Sequence, residues 1–356
     1  MRALLFCCTL ALSACTPRGS ITQIHDSLAL GGAREHNIHV VSTRSELTSP
    51  PFFGRGRGQD ARYARFTVSV PDRRETGRIA WRRTEDPDPS TQFLTTSYEA
   101  LASGPALRQS LSKELSTTET DEIILFVHGF NTNFSEALYR LAQIAEDYEI
   151  PGAPILFAWP AAEDAGGYLY ARDSALLNRD ALVETLIALD HVRRGRLTIV
   201  AFSLGNFLTM ESLRQLAKTG RRDVIERVDA LMLVAPDIDI DLFRMQAGAI
   251  GGLPEPSVVL SSVSDRALGL SALLTGAQAR LGSLQDFETL EDLGVTVLEV
   301  SAFTQEAQSS HDVAFTSPSL IKLLRGTRRA AIRMGDARPT RISQQIKPGD
   351  QALATE

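Results

Sequence analysis

The stretch Arg196–Asn206, RLTIVAFSLGN, decides the fold, because in it an apolar run stops abruptly at a serine held between small residues. Leu197, Ile199 and Val200 read as a short buried strand, and Phe207 to Ala217 as an amphipathic helix with Phe207, Leu208, Leu213 and Leu216 apolar. A strand that runs straight into a helix has to turn sharply. Ala201 and Gly205 are small enough for the two backbones to approach, which leaves the Ser203 hydroxyl exposed at the tip of the turn. The same serine also suits an ordinary helix N-cap, so the rest of the chain must choose between the two readings.

The chain has 356 residues, 43% hydrophobic and 22% charged, enough to bury a large core in one α/β domain with additional segments. A net charge of −6 argues against a nucleic-acid footprint. All three cysteines, Cys7, Cys8 and Cys15, lie at the N-terminus, so the body carries no disulfide, thiolate metal site or cysteine nucleophile. No H-E-x-x-H pattern or downstream histidine cluster suggests a metal, and no cofactor is expected.

The ends read as appendages. Residues 1–14 read as a signal peptide: they have one basic residue and a short apolar core, too short to span a bilayer, and end in small residues before Cys15. Leu12-Ser13-Ala14-Cys15 resembles the lipobox of bacterial lipoproteins, which implies lipidation at Cys15. By the same resemblance, Thr16 rather than Asp after the cysteine favours the outer membrane of the envelope, on its periplasmic side. Residues 15–36 read as a tether, 37–325 as the folded domain, and the Arg- and Pro-containing 326–356 as a disordered tail.

Between the ends, strand and helix patterns alternate. Asn37–Thr43 and Ala64–Val70 read as leading strands joined by a turn-rich loop, PPFFGRGRG, and Arg73–Ser103 as a surface connection with a helical piece near Ser97 to Leu115. Ile123–Val127 is the strongest apolar strand, running into His128-Gly129-Phe130 ahead of a helix from Phe134 to Tyr148 with Ser135 as a candidate cap. There Gly129 permits close backbone approach and the Phe130 amide can point at a developing oxyanion, with His128 in a packing and hydrogen-bonding role. Pro154–Trp159 is another buried strand, followed by a loop in which Tyr168, Tyr170 and Arg172 are candidate pocket residues. Strands at Arg227–Val234, Pro256–Val263 and Val295–Val300 end in Asp237, in Asp265 and ahead of His311, and a closing helix starts at Ser319. The expected architecture is α/β: a mostly parallel, doubly wound sheet flanked by helices.

The order nucleophile, acid, histidine then becomes a test. Five of the six histidines precede Ser203; only His311 follows it, after the last strand, where a general base reaches the elbow. Asp265, one strand before His311, is the favoured acid, and Asp237, one strand earlier, is the alternative. The amides of Phe130 and Leu204 are the expected oxyanion donors.

Taken together, VHGFNTNF, ILFAWP with GYLYARDSA, AFSLGN, LVAPDID, SSVSDRAL and the histidine of SSHDVAF resemble the α/β-hydrolase superfamily, and within it a bacterial esterase/lipase-like family of undefined role. Phe202 stands where that family commonly has histidine. The resemblance implies the α/β-hydrolase fold and a serine-dependent triad but supplies no substrate; a small-molecule or lipid acyl ester is the expectation drawn from the location at a membrane that the lipobox-like segment implies. A non-catalytic envelope lipoprotein using the same scaffold for binding is the other reading.

Overall fold

The strand β4 (Glu122–Val127) buries both of its faces: Ile123, Leu125 and Val127 pack into one core, Ile124 and Phe126 into the other. A strand apolar on every side is stable only between helical layers, and its neighbours are accordingly parallel. The computed structural model describes residues 18–24, 33–82, 86–118, 120–192, 195–276, 280–284, 288–333 and 344–345. Cys15, the expected lipidation site, and residues 1–14, expected as a signal peptide, lie outside these residues.

In chain order the strands are β1 (Arg34–Glu46), β2 (Phe53–Val70), β3 (Leu94–Leu101), β4, β5 (Ala153–Ala158), β6 (Arg196–Phe202), β7 (Val228–Val234), β8 (Ser257–Ser261), β9 (Val295–Glu299) and β10 (Gln344–Gln345). The helices are α1 (Gly104–Thr117), α2 (Phe134–Asp147), α3 (Tyr168–Leu177), α4 (Arg179–Asp190) and α5 (Leu204–Lys218). After these come α6 (Arg222–Glu226), α7 (Ile240–Ile250), α8 (Arg266–Thr275), α9 (Val313–Thr316) and α10 (Pro318–Arg333). The sheet runs β10-β9-β8-β7-β6-β4-β5-β1-β2-β3, parallel from β10 to β1 and antiparallel at β2 and β3. Helices α1, α4, α5 and α7 pack on one face; α2 and α10 pack on the other. The mostly parallel, doubly wound α/β architecture is the one the alternating pattern predicts.

Chain order fixes where a ligand crevice opens. From β4 the chain passes to β5 on one side and then returns to β6 on the other, so the loops leaving β4 and β6 diverge. Such a switch point leaves a cleft at the carboxyl ends of the strands. The loop starting at His128 and the turn at Ser203 stand on its two sides.

The structure departs from the sequence reading wherever pairing partners, not local pattern, make the element. The FGRGRG segment is no loop but the first part of β2, paired antiparallel to the end of β1. The segment near Ser97 is strand β3, on the β2 edge, and helix begins only at Gly104, behind the Ser103 cap. The loop expected around Tyr168 closes at once into α3. The cap of α2 is Asn133, not Ser135: its side chain accepts from the Glu136 amide at 2.8 Å, while Glu136 accepts from the Asn133 amide at 3.0 Å. Helix α10 continues past the expected domain end to Arg333, and Gln344–Gln345 pair with β9; the other residues of the expected tail lie outside the described ones.

The expected tether also needs correction over residues 18–24, which are strapped to α2 and β3. The Ile21 amide donates to Ser135 Oγ at 3.1 Å and the Ile24 amide to the Thr95 carbonyl at 3.0 Å. Polar, glycine-containing sequence looks like linker because its partners are distant in the chain.

Helix α5 can enter the cleft floor only because Gly205 has no side chain. A Cβ there would meet the carbonyl oxygens of Val127 and His128, the latter at 2.5 Å, and both are backbone atoms of the central strand and its exit. Gly205→Ala is expected to lower unfolding free energy by about 1–3 kcal/mol, read from urea denaturation; a change within experimental error would show that the two backbones can part.

Candidate active site

Ser203 sits between β6 and α5 with φ 53° and ψ −124°, a conformation costly for any residue with a side chain. Its backbone is held on all sides. The Ser203 amide donates to the Val234 carbonyl at 3.0 Å, and the Ser203 carbonyl accepts from the amides of Asn206 at 3.1 Å and Asp237 at 3.2 Å. Asn206, wholly buried, adds its side-chain amide to the carbonyls of Ser203 at 2.9 Å and Val234 at 3.0 Å. These bonds over-determine the turn, and Ser203 does not cap the helix with its side chain.

On the opposite side of the cleft, the backbone of Gly129 passes so close that a Cβ would stand 2.8 Å from that of Ser203. His128 Nδ1 lies 2.9 Å from the Gly129 carbonyl oxygen, which can only accept, so Nδ1 carries the proton. In a trans peptide the N–H points opposite to the C=O. Holding the Gly129 carbonyl therefore turns the Phe130 amide the other way. Behind this loop, Trp159 Nε1 donates to the His128 carbonyl at 2.8 Å and its ring stacks on the imidazole. Two guanidiniums take the next carbonyls: Arg18 donates to that of Asn131 at 3.0 Å and Arg44 to that of Thr132 at 2.6 Å. Each is ion-paired, Arg18 with Glu136 at 2.6 Å and Arg44 with Glu163 at 2.9 Å.

His311 enters from the loop after β9. Its Nδ1 lies 2.6 Å from Asp265 Oδ2, so a proton on Nδ1 leaves the Nε2 lone pair free to act as a base. Asp265 spends its other oxygen on α8, accepting from the amides of Ala267 at 3.0 Å and Leu268 at 3.1 Å. The His311 ring packs on Phe202, and the Asp312 carboxylate steadies the loop by accepting from Ser309 and Thr316.

Asp237 is engaged elsewhere. One oxygen accepts from Ser271 Oγ at 2.7 Å and ion-pairs with Arg280 at 3.2 Å; the other accepts from the Tyr168 hydroxyl at 2.8 Å. Burial, followed by the Asp237 charge, raises the Tyr168 phenol well above its usual range, so it remains a donor. Of the other candidate pocket residues, Tyr170 lies under the Arg57 guanidinium and Arg172 over the Phe207 ring.

Ser203, His311, Phe130, Asp237 and Tyr168 all line one cavity of about 660 Å³. Asp265 stands behind His311, and Leu204 is the first residue of α5, where an amide has no intrahelical acceptor. Arg280 carries no signal in the sequence, and the motifs that contain Asn206 and Trp159 do not reveal their bonding: each works through partners that are remote or made of backbone. Among the described residues, no cluster of three His, Cys, Asp or Glu side chains is arranged to hold a metal. A serine–histidine–carboxylate contact also exists elsewhere, with His39 2.9 Å from Ser110 and 3.7 Å from Glu114. Ser110 lies inside α1, where helical bonding consumes the neighbouring amides, so that contact lacks an oxyanion site.

Residues 103–328 match the family model described as "Alpha/beta hydrolase of unknown function (DUF900)". The chain belongs to this family. No curated protein matches it. Among solved structures, the chain is similar to Aspergillus fumigatus lipase B at 11% identity and a TM-score of 0.41, covering 64% of this chain and 58% of the lipase. It is also similar to a thermostable esterase from Pseudomonas putida ECU1011, at 12% identity and a TM-score of 0.37 over 83% of this chain and 81% of the esterase. A third is the dienelactone hydrolase of Anabaena variabilis ATCC 29413, at 12% identity and a TM-score of 0.36 over 84% and 96% of the two chains.

In this DUF900 member, burial and then the Arg44 charge lower the His128 imidazole from 6.5 to about 3. The folded chain therefore refuses a proton that the unfolded chain accepts below pH 6.5, and stability is lost as pH falls from 6.5 towards 3. Between pH 7 and 5, His128→Gln is expected to lose about 2 kcal/mol less unfolding free energy than the wild type. Parallel losses in the two proteins would show that His128 is protonated in the fold.

Proposed function

We propose that this α/β hydrolase is a serine hydrolase that cleaves acyl esters, with Ser203 as nucleophile, His311 as general base and Asp265 as the acid that orients the imidazole. The observation that carries the reading is the 2.6 Å contact of His311 Nδ1 with Asp265 beside the cavity onto which Ser203 opens. His311 Nε2 takes the Ser203 proton as the oxygen attacks the ester carbonyl, and Asp265 stabilises the imidazolium that forms. The tetrahedral oxyanion is held by the amides of Phe130 and Leu204; a donor of this kind contributes on the order of a hundredfold in rate. His311 then returns the proton to the leaving alcohol and activates the water that releases the acyl group.

Asp265 is preferred to Asp237 because both Asp237 oxygens already serve Ser271, Arg280 and Tyr168. The lipobox-like LSAC sequence supports lipidation at Cys15 and attachment to a bacterial envelope membrane, facing the periplasm from the outer membrane. At such a surface the substrate is a small-molecule or lipid acyl ester.

A phosphonylating serine-hydrolase reagent is expected to add once to the protein and not to Ser203→Ala, read by intact mass. No adduct on folded protein would favour the non-catalytic binding scaffold. In turnover of a simple acyl ester, Asp265→Asn is expected to cost far more than Asp237→Asn, on the order of 10⁴ in kcat if the wrong imidazole tautomer results; the reverse order would move the role of acid to Asp237.

A further inference from the structure

We infer that the mouth of the Ser203 cavity faces the lipid bilayer to which the chain is tethered, with the outer face of α8 set into the interface. The inference rests on the lipidation of Cys15 proposed above. Two residues, Thr16 and Pro17, separate Cys15 from Arg18, so three Cα steps keep the anchor within about 11 Å of the Arg18 backbone. Arg18 is not free to swing. Its guanidinium holds Asn131 Oδ1 at 2.7 Å, the Asn131 carbonyl and Glu136, and the Asn133 side chain donates to the Gly19 carbonyl at 2.9 Å. The Gly19 backbone lies directly against the Trp81 ring. Asn131, Glu136 and Trp81 all line the cavity, so Arg18, three positions after Cys15, is fixed at the rim of the site itself.

Another part of the cavity wall comes from α8, through Leu270 and Leu274. Positions 270, 273 and 274 fall within one arc of a helix. Their side chains point outward: Leu270 is 54% exposed, Leu273 77% and Leu274 53%. The buried face of the same helix is formed by Leu268 and Ser271, so the outer leucines take no part in the core. An apolar face beside a functional mouth marks an interaction surface, and an amphipathic helix with leucines outward suits the boundary between headgroups and acyl chains. An anchor tied close to the cavity rim and leucines on the cavity wall turn the opening towards one plane, the membrane surface. An acyl ester dissolved in the bilayer then reaches Ser203 without crossing water.

The test uses the full chain, expressed in a bacterium that processes lipoproteins and reconstituted into phosphatidylethanolamine–phosphatidylglycerol vesicles. Removal of the leader takes Cys7 and Cys8 with it and acylation occupies Cys15, so Leu273→Cys supplies a single free thiol for an environment-sensitive fluorophore. Lys218→Cys is the control: it is exposed at the far end of α5, about 22 Å along that helix from Ser203. With the acyl groups on Cys15 verified by mass, spin-labelled lipid is expected to quench the 273 label at least about twofold more than the 218 label, and aqueous iodide to show the reverse order. Acylated protein whose 273 label responds to iodide as the 218 label does overturns the orientation and leaves lipidation standing. A 273 label shielded from both quenchers assigns the leucines to a second copy of the chain and also overturns it. A Cys15 without acyl groups removes the tether, and the orientation fails with it.

Discussion

One constraint organises the molecule: a residue with a side chain, Ser203, is held at φ 53° where the central strand pair meets its helix. Such a turn persists only when its surroundings leave it no alternative. Here the surroundings are the parallel ladder itself, because the acceptor of the Ser203 amide is the Val234 carbonyl at the end of β7. Asn206 closes the arrangement from within the helix by bonding both carbonyls at once. Glycine at 129 and 205 is the steric consequence, since each stands where another backbone or the Ser203 Cβ already is.

A second principle shapes the facing loop: its carbonyls are held by side chains from behind, and holding the Gly129 carbonyl turns the Phe130 amide the other way. His128, Trp159, Arg18 and Arg44 take the carbonyls of Gly129, His128, Asn131 and Thr132 in turn. Arg18 and Arg44 are themselves ion-paired with Glu136 and Glu163, so the clasp is held from both ends. Arg44 is essentially fully buried, which that pairing and its carbonyl bonds make tolerable. The burial that fixes His128 also keeps its imidazole neutral, since a charged ring in the same position would face the Arg44 guanidinium across a dry interior.

What the sequence reveals follows from how each feature is encoded. The parallel strands are legible because burial on both faces demands unbroken apolar runs such as Ile123–Val127. Ser203 and His311 stand out because small residues flank the one and chain order singles out the other. Strand β3 and the first part of β2 are not legible, for their stability comes from β1 and β2 across the sheet, and glycine alternating with arginine has no apolar period. The choice between Asp237 and Asp265 is equally hidden. Both follow strands and both precede helices; they differ in Arg280, a residue distant from Asp237 in sequence whose guanidinium meets it only in the fold.

That buried pair also explains how the wall of the cavity is tied to the elbow. The Asp237 amide donates to the Ser203 carbonyl, while its carboxylate receives Tyr168 from α3, Ser271 from α8 and the charge of Arg280. Asp265 makes the complementary link, capping α8 with one oxygen and meeting His311 with the other. Helix α8 is thus fixed at its start to the histidine and at its middle to the serine turn. A force on its outer leucines would be felt at both Ser203 and His311, because the carboxylates that hold the helix are bonded to these two residues: Asp265 to His311, and Asp237 through its amide to Ser203.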